Sequence, residues 1–310
     1  MEKFEDILNE WLNYMEKQVK PSTYACYVRL AQTHICPNLG NMSVKHIDQP
    51  VITAFIKQKL EKGRIDKSGG LSEKTVKDIM SIVNSVLRYS EIVYDQKKPE
   101  FFKWRYTNHR KEIEVFTNQE QKILEHYLTM QPDLPKLGIL ICLYSGLRLG
   151  EICALQWNDV DMEKKVFHIR RTVQRISTPS QTSRTQMLIG LPKTQAAMRD
   201  IPIASSLEEY LKQYRTHSAP NIYVVASKSG KFMDPRTFQK KYQKIIQNAG
   251  LDYRNFHCLR HTFATRCIEK GIDIKSLSEI LGHSNVNITL NRYVHSSIEQ
   301  KRKQLEKLCE

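Results

Sequence analysis

The sequence predicts a mainly α-helical protein with a small antiparallel β-sheet, an α+β fold. Three patterns support this prediction. Apolar residues recur at helical spacing over the first ninety residues, apolar and polar residues alternate between Val166 and Ile176, and helical patterns return after Asp234. With 310 residues, 40% of them hydrophobic, the chain is long enough for two domains with separate cores.

The N-terminal region is predicted to form a bundle of four helices. Phe4, Trp11 and Met15 share one face of the first helix. Helix starts are expected near Phe4, at Ser22 or Thr23, at Asp48 and at Ser72, and the second helix is expected to end near Cys36 because Pro37 follows.

The helical periodicity breaks down between Tyr94 and Glu114, where basic residues alternate with aromatic ones. We interpret residues 96–114 as a linker between a helical domain, residues 1–95, and a second domain, residues 115–310. Such a linker could follow a polyanion backbone, or it could be a solvated connector docked by its aromatic side chains.

The second domain is predicted to begin with a capping box at Thr117 to Glu120, which starts a helix. An apolar segment, LGILICLYSGLRLGEICAL, is read as one later helix, and Val166 to Ile176 as a strand. The segments MLIGLP and RDIPI are predicted to pair as a hairpin around KTQAAM. Asp234-Pro235 then starts another helix, which Gly250 ends.

The net charge of the chain indicates which class of partner it binds. A net charge of +15 and a pI near 9.4 favour polyanionic partners.

The seven cysteines are odd in number and form no C-x-x-C pair, which fits a reducing cytoplasm. The chain shows neither a signal-peptide pattern nor an apolar run long enough to cross a membrane.

Four short segments contain candidate reactive groups: Arg148 in YSGLRLGE, His257 and Arg260 in HCLRHTFATR, His283 after a glycine, and Tyr293 in NRYVH. Taken separately, each has an ordinary explanation. Arg148 could pair with Glu151 three residues on, and Tyr293 could be a core tyrosine. His257 and His261 also have zinc-ligand spacing, but the position after His257 is not Glu and no third ligand is evident.

In this order the four segments resemble the catalytic signature of the tyrosine recombinases, the phage-type integrase family. The signature has an arginine in a S-G-x-R-x-G-E helix, then H-x-L-R-H-T-F-A-T, L-G-H-S and a C-terminal R-Y. The segment LPKTQAAMRDIPI is similar to the family's lysine hairpin and selects Lys193. The resemblance is close from about Thr117 onward and covers the N-terminal helices in position, size and character alone.

The resemblance implies an N-terminal core-binding (SAM-like) domain, a C-terminal catalytic domain, and cleavage and rejoining of DNA without metal or other cofactor. Tyr293 would be the nucleophile, and Arg148 and Arg260 would stabilise charge on the phosphate. His257 would be the base, Lys193 the acid that protonates the departing 5′-hydroxyl, and His283 a neutral donor to a phosphate oxygen. Glu151 would support Arg148.

Double-stranded DNA with a specific core site is the implied partner, bound by a homotetramer, with accessory directionality or DNA-bending factors possible. DNA contacts are predicted for Lys97, Lys98, Lys103, Arg105, Lys240 and Lys241. The tail after Tyr293 could pack on its own subunit or on a neighbour. The chain begins almost directly with the predicted core-binding helices, which fits either a family member without an arm-binding domain or a shortened chain.

The polar loop before LIGLPKTQ favours an integrase of a phage or other mobile element. The alternatives are a chromosome-dimer-resolving recombinase, a type IB topoisomerase-like enzyme that relaxes supercoils, and a non-catalytic DNA-binding regulator built on the same fold.

Overall fold

The computed structural model describes residues 3–95, 113–131, 133–178, 185–192, 194–215, 222–293 and 302. The chain forms two compact units, one of residues 1–110 with 175–186 and one of residues 111–174 with 187–310. Helices predominate and the strands are few and antiparallel, which confirms the predicted fold class.

The first unit is helical. Its helices are Phe4–Glu16 (α1), Pro21–Leu30 (α2), Cys36–Leu39 (α3), Gln49–Lys62 (α4) and Glu73–Tyr94 (α5). Helix α1 buries Phe4, Ile7 and Leu8 in a core to which α5 contributes Val83 and Val86. The core follows from the helical spacing of these apolar side chains.

Two predicted helix starts are confirmed by their caps. The Asp48 carboxylate accepts from the Val51 amide at 3.1 Å, and the Ser72 hydroxyl accepts from the Thr75 amide at 3.2 Å. The predicted stop at Pro37 is wrong. The chain continues from α2 through a π-helical segment, Ala31–Ile35, into α3, where Pro37 lies in the first turn. Proline is tolerated there because the first-turn amides need no helical partner.

The second unit surrounds a helix that is buried along most of its length. Its helices are Asn118–Thr129 (α6), Leu134–Ser145 (α7), Leu149–Ala154 (α8), Ser205–Arg215 (α9), Pro235–Asn248 (α10), His257–Glu269 (α11), Ile274–Leu281 (α12) and Val286–Tyr293 (α13). Helices α6, α9, α10 and α11 pack around α7. At Gly138 of α7, an added Cβ would lie 2.6 Å from the Phe238 ring, so α10 packs closely there because this residue has no side chain.

Within the described residues, the strands form two small sheets. They are Val160–Asp161 (β1), Val166–Ile169 (β2), Thr172–Ser177 (β3), Thr185–Gly190 (β4) and Arg199–Pro202 (β5). The order is β1-β2-β5 in one sheet and β3-β4 in the other. Phe167 lies opposite Ile201, and both side chains are buried.

The predicted strand from Val166 to Ile176 is therefore two strands, and the predicted hairpin of MLIGLP with RDIPI is wrong. These segments lie in different sheets, with β4 paired to β3 and β5 to β2. Alternation shows which face of a strand is buried, but it does not show which strand is the partner.

The predicted capping box at the start of α6 is confirmed, since Thr117 and Glu120 exchange hydrogen bonds. Asp234 caps α10 as predicted, and Gly250 follows its end with a φ of +72°. Within the described ranges, no helix is both long and apolar enough to cross a membrane.

Candidate active site

A break between α7 and α8 positions Arg148. Gly146 ends α7 with a φ of +65°, and a Cβ there would lie 2.5 Å from the Phe263 ring, so the turn requires glycine. The prediction that Arg148 lies inside one continuous helix is wrong. Arg148 is extended, and its amide donates to Glu151 at 2.9 Å at the start of α8.

Glu151 lies between two arginines. One oxygen accepts from Arg148 Nη1 at 2.8 Å and from Arg199 Nη1 at 3.1 Å, and the other accepts from Arg199 Nη2 at 3.0 Å. Burial alone would raise the pKa of Glu151, but the charge and hydrogen bonds of Arg199, followed by those of Arg148, lower it. Glu151 therefore stays ionised and orients both guanidinium groups.

Arg260 is the fourth residue of α11, and it is buried, with 1% exposed. Its Nη1 donates to the Gly146 carbonyl at 2.7 Å, and its Nη2 donates to the Leu281 carbonyl at 2.7 Å. Burial, followed by the charge of Arg148, lowers the pKa of Arg260 to about 9. The guanidinium is still charged at neutral pH, and the crowding of cations favours a bound anion.

The last turn of α12 holds the arginines together. The Ile280 carbonyl accepts from Arg199 Nε at 2.5 Å, the Leu281 carbonyl from Arg260, and the Gly282 carbonyl from Arg148 Nη2 at 3.1 Å. Carbonyls at the end of a helix lack helical partners and carry the negative end of its dipole. The helix end thus offsets part of the positive charge that gathers here.

His283 follows this turn and contacts Arg260. Its Nε2 lies 3.0 Å from Arg260 Nη2, and its Nδ1 lies 2.8 Å from the Thr289 hydroxyl. Since a guanidinium can only donate, Nε2 is the acceptor, which leaves the proton on Nδ1. Burial, then the charges of Arg260 and Arg148, lower the pKa of His283 to about 4. The ring is therefore neutral at neutral pH. Donation to a phosphate from Nε2 would require the proton to move to that nitrogen.

Tyr293, at the end of α13, is 8% exposed, and its hydroxyl lies 2.7 Å from His261 Nδ1. Burial raises the pKa of the phenol, while the charges of Arg260, Arg292 and Arg148 oppose this rise. The predicted cap of this helix is confirmed at Asn285, whose side chain accepts from the Asn287 amide at 2.8 Å.

His257, the predicted base, lies one turn before His261 on α11. The two rings meet edge to face with centroids 4.5 Å apart. Desolvation, then the charges of Arg260 and Arg292, lower the pKa of His257 to about 4. The histidine hydrogen-bonded to the Tyr293 hydroxyl is thus His261, whereas His257 is its neighbour.

The structure therefore joins Arg148, Arg260 and His283 at one helix end, with Glu151 hydrogen-bonded to Arg148. Tyr293 lies against His261, which in turn contacts His257. Lys193 lies outside the described residues, as do Lys97, Lys98, Lys103 and Arg105 and the tail after Tyr293, apart from Arg302. Lys240 and Lys241 are exposed on α10. The part of the chain that the structure describes holds no metal-binding group of three or more His, Cys, Asp or Glu side chains.

Sequence reasoning missed two residues of the site. Arg199 lies in RDIPI, where the motif alone gave no reason to join it to Glu151. His261 was considered as a zinc ligand, but its spacing to a tyrosine thirty-two residues away carries no signal. Both depend on tertiary contacts.

Chemically, the arrangement can direct the Tyr293 phenol at an anionic ester. Arginine forks match phosphate oxygens, and their fixed charge stabilises the extra negative charge of a five-coordinate transition state. About a third of the Arg148 side chain, 36%, remains exposed, so an anion can reach it.

Comparison with known families agrees with this chemistry. The family model described as the phage integrase family matches residues 114–300, and the model of the phage integrase N-terminal SAM-like domain matches residues 3–60. The chain belongs to the phage integrase family, the tyrosine recombinases, which are enzymes that cleave and rejoin DNA. The resemblance of the sequence motifs is thereby confirmed.

Several curated relatives are similar along most of the chain. A XerC-like tyrosine recombinase of Caldanaerobacter subterraneus is 29% identical, over 98% of this chain and 82% of the relative. The transposase A of transposon Tn554 from Staphylococcus aureus is 27% identical, over 77% of this chain and 70% of its own. The ICEBs1 integrase of Bacillus subtilis is 22% identical, over 98% and 82%.

Among solved structures, the Tn1549 transposon integrase in complex with transposon right-end DNA matches with a TM-score of 0.79 and 22% identity, covering 99% of this chain and 100% of that one. A lambda integrase tetramer bound to a Holliday junction matches with a TM-score of 0.62 and 17% identity, over 96% and 80%. These similarities show the shared fold.

Proposed function

We propose that this protein is a site-specific recombinase that integrates and excises a phage or other mobile element through a 3′-phosphotyrosyl intermediate. The observation that carries the proposal is the convergence of Arg148 and Arg260, from separate elements, on one helix end, where their charges oppose the rise in the pKa of the buried Tyr293 phenol. A core tyrosine would need no such surroundings, because cations crowded around a buried group are costly without an anion.

In this proposal the Tyr293 oxygen attacks the phosphorus of a DNA phosphodiester. Arg148 and Arg260 hold the non-bridging oxygens, where negative charge grows as the bond forms. Lys193 gives a proton to the departing 5′-hydroxyl, and Glu151 orients Arg148. The phosphotyrosyl ester keeps the energy of the broken linkage, so a 5′-hydroxyl can reverse the reaction without ATP.

We also propose that His283 donates a hydrogen bond to a phosphate oxygen, after a change of hydrogen-bond partner. In the structure its Nε2 accepts from Arg260. A phosphate oxygen that takes over this donor from Arg260 releases Nε2, which can then carry the ring proton and donate.

Double-stranded DNA is the proposed substrate, with a specific core site and a homotetramer acting on two sites. The net charge of +15 supports the first part, and the lambda integrase tetramer on a Holliday junction supports the second. We also propose the domain division at residues 1–95 and 115–310 with a basic linker between. The family matches to residues 3–60 and 114–300 support it.

The relatives favour a mobile element, since a transposase, the ICEBs1 integrase and the Tn1549 transposon integrase are among them. Resolution of chromosome dimers is the second candidate, which the XerC-like relative from Caldanaerobacter supports. The two differ in the sequence at which the protein cuts.

Covalent capture tests the proposal. The full chain is incubated with random genomic fragments in EDTA, and DNA that stays attached after denaturation is sequenced. Attachment by the native protein and none by Tyr293→Phe, with DNA binding kept, is the expected result. Fragments from the ends of an element indicate integration, whereas a single chromosomal locus indicates dimer resolution. Attachment by Tyr293→Phe would contradict the choice of nucleophile.

A second assay separates the recombinase from a relaxing enzyme and from a non-catalytic regulator. A duplex nicked beside the captured site traps the covalent complex, and a second duplex with a free 5′-hydroxyl is then added. Joining to the second duplex is expected. A regulator would form no covalent complex, and a relaxing enzyme would reseal its own strand without exchange between two sites.

A further inference from the structure

We infer that His261 is a further catalytic residue, which accepts the phenolic proton of Tyr293 as the phenol attacks the phosphodiester. This inference rests on the proposed function. The sequence motif predicts His257, one turn earlier on the same face of α11, as the base, so the assignment to His261 comes from the geometry.

His261 contacts the nucleophile directly. His261 Nδ1 lies 2.7 Å from the Tyr293 oxygen, with ring centroids 5.6 Å apart. That separation is within the reach required of a general base, which must lie about 2.6–3.2 Å from the proton's heavy atom. His257 is joined to this pair through its edge-to-face contact with the His261 ring.

Helix packing fixes the positions of His261 and Tyr293. His261 lies in the first turns of α11, one residue after the buried Arg260, and Tyr293 is buried at the end of α13. Helices α11 and α13 pack against each other, and Ala264 and Leu277 share a small core with Tyr293. The base and the nucleophile are thus held by packed helices rather than by loops, which keeps the hydrogen bond in place before DNA binds.

His261 is uncharged at neutral pH and can therefore accept a proton. Burial lowers the pKa of His261 to about 3, with further lowering by His257, Arg292 and Arg260, so the ring is neutral and has a lone pair available. A phosphodiester bound by Arg148 and Arg260 offsets these positive charges. The pKa of His261 therefore rises when substrate is present, at the stage where a proton acceptor is required.

The step balances in atoms and charge. The bond from the Tyr293 oxygen to phosphorus forms and the bond from phosphorus to the 5′-oxygen breaks. The phenolic proton moves to His261 Nδ1, and the 5′-oxygen leaves with a proton from Lys193. In the reverse reaction the proton on His261 returns to the phenol as the phosphotyrosyl bond breaks.

The test measures single-turnover cleavage of the nicked duplex that carries the captured site, between pH 6 and 9. His261→Asn keeps a polar atom near the position of Nδ1 but cannot take up a proton, and His261→Phe removes both properties. A loss of about 100-fold or more at pH 6 is expected for both variants. Because the variant must wait for spontaneous ionisation of the phenol, its rate should rise about tenfold per pH unit.

Chemical rescue separates proton transfer from positioning. Incorporation of 3,5-difluorotyrosine at position 293 supplies a more acidic phenol of similar shape. The fluorinated phenol should restore cleavage by the His261→Asn variant. It should change the cleavage rate little when His261 is present. Matched DNA binding and thermal unfolding show that the variant is folded. His168→Asn, which changes a half-buried histidine on β2 that pairs with Asp200, is the control and should cleave like the native protein.

Cleavage by His261→Asn at the native rate, or a loss that neither pH nor the fluorinated phenol restores, would overturn the inference. These results are distinct from failure of the proposed function, which would appear as a covalent complex formed by Tyr293→Phe or as none formed by the native protein.

Discussion

Arg148 and Arg260 donate hydrogen bonds to the carbonyl oxygens of two successive residues, Gly282 at 3.1 Å and Leu281 at 2.7 Å. One helix end therefore sets the positions of two guanidinium groups that come from elements more than a hundred residues apart in sequence. Glu151 supports Arg148 from the other side.

This relationship predicts different consequences for the two conservative substitutions. Arg148→Lys and Arg260→Lys should each slow cleavage about 10²- to 10³-fold, because an ammonium cannot present the fork that matches phosphate. Arg260→Lys should also lower Tm, since Arg260 is buried and donates to carbonyls from two elements. Nicked-duplex cleavage and thermal unfolding measure both effects. Native cleavage by Arg148→Lys would contradict the assignment.

Glu151 should contribute strongly to stability as well as to the site. Glu151→Gln removes the charge that pairs with the buried Arg199 and should destabilise the fold by about 3–5 kcal/mol in urea unfolding. The control is Asp200→Asn, which breaks an exposed pair with Arg170 and should cost no more than about 1 kcal/mol. Equal effects of the two substitutions would show that the buried Glu151–Arg199 pair contributes no more to the free energy of unfolding than the exposed pair.

The histidines of the site predict how stability changes with pH. The folded-state pKa values of His257 and His283 are about 4, below the usual value of about 6.5, so the unfolded chain binds more protons between these values. Their contribution is complete above pH 6.5 and is lost as the pH falls toward 4. We expect the free energy of unfolding to decrease over this window.

His257→Gln should reduce this pH slope, by at most the roughly 1.4 kcal/mol per pH unit that one proton can contribute. Urea unfolding at pH 5, 6, 7 and 8 provides the measurement. An unchanged slope in the variant would mean that His257 titrates alike in the folded and unfolded chains.

How much of the structure can be predicted from the sequence depends on how far apart the interacting residues lie along the chain. Caps such as Asp48, Ser72 and Thr117 act within four residues, so local sequence located those helix starts. The pairing of β5 with β2 and of β4 with β3 is set by which buried faces meet, and alternation within a strand does not contain that information.

The same distinction applies to the site. Arg148, Arg260, His283 and Tyr293 were found because an ordered set of motifs marked them, whereas the single-helix interpretation around Arg148 failed at Gly146. Gly146 ends α7 in the left-handed region, and a side chain there would clash with the Phe263 ring of another helix, so the need for glycine depends on tertiary packing. Arg199 and His261 reach Glu151 and Tyr293 across the fold, and no local pattern in the sequence connects them.

The exposed lysines of α10 give the last prediction. Lys240 and Lys241 project from a helix whose other face buries Phe238 and Tyr242. If each neutralises one phosphate, Lys240→Gln combined with Lys241→Gln should weaken binding similarly for all DNA sequences. The log–log slope of affinity against salt should become shallower by about 1.8, since each phosphate contact contributes about −0.9.

The control removes the same charge elsewhere. Lys164→Gln with Lys231→Gln changes two exposed lysines outside α10. A shallower slope in the α10 variant alone identifies direct phosphate contacts, because loss of net charge by itself would act equally in both. If the two double variants show the same slope, Lys240 and Lys241 contribute to the general positive field and do not touch the DNA backbone. Binding measured from 50 to 300 mM salt, over which the Debye length shortens by about 2.5-fold, distinguishes these outcomes.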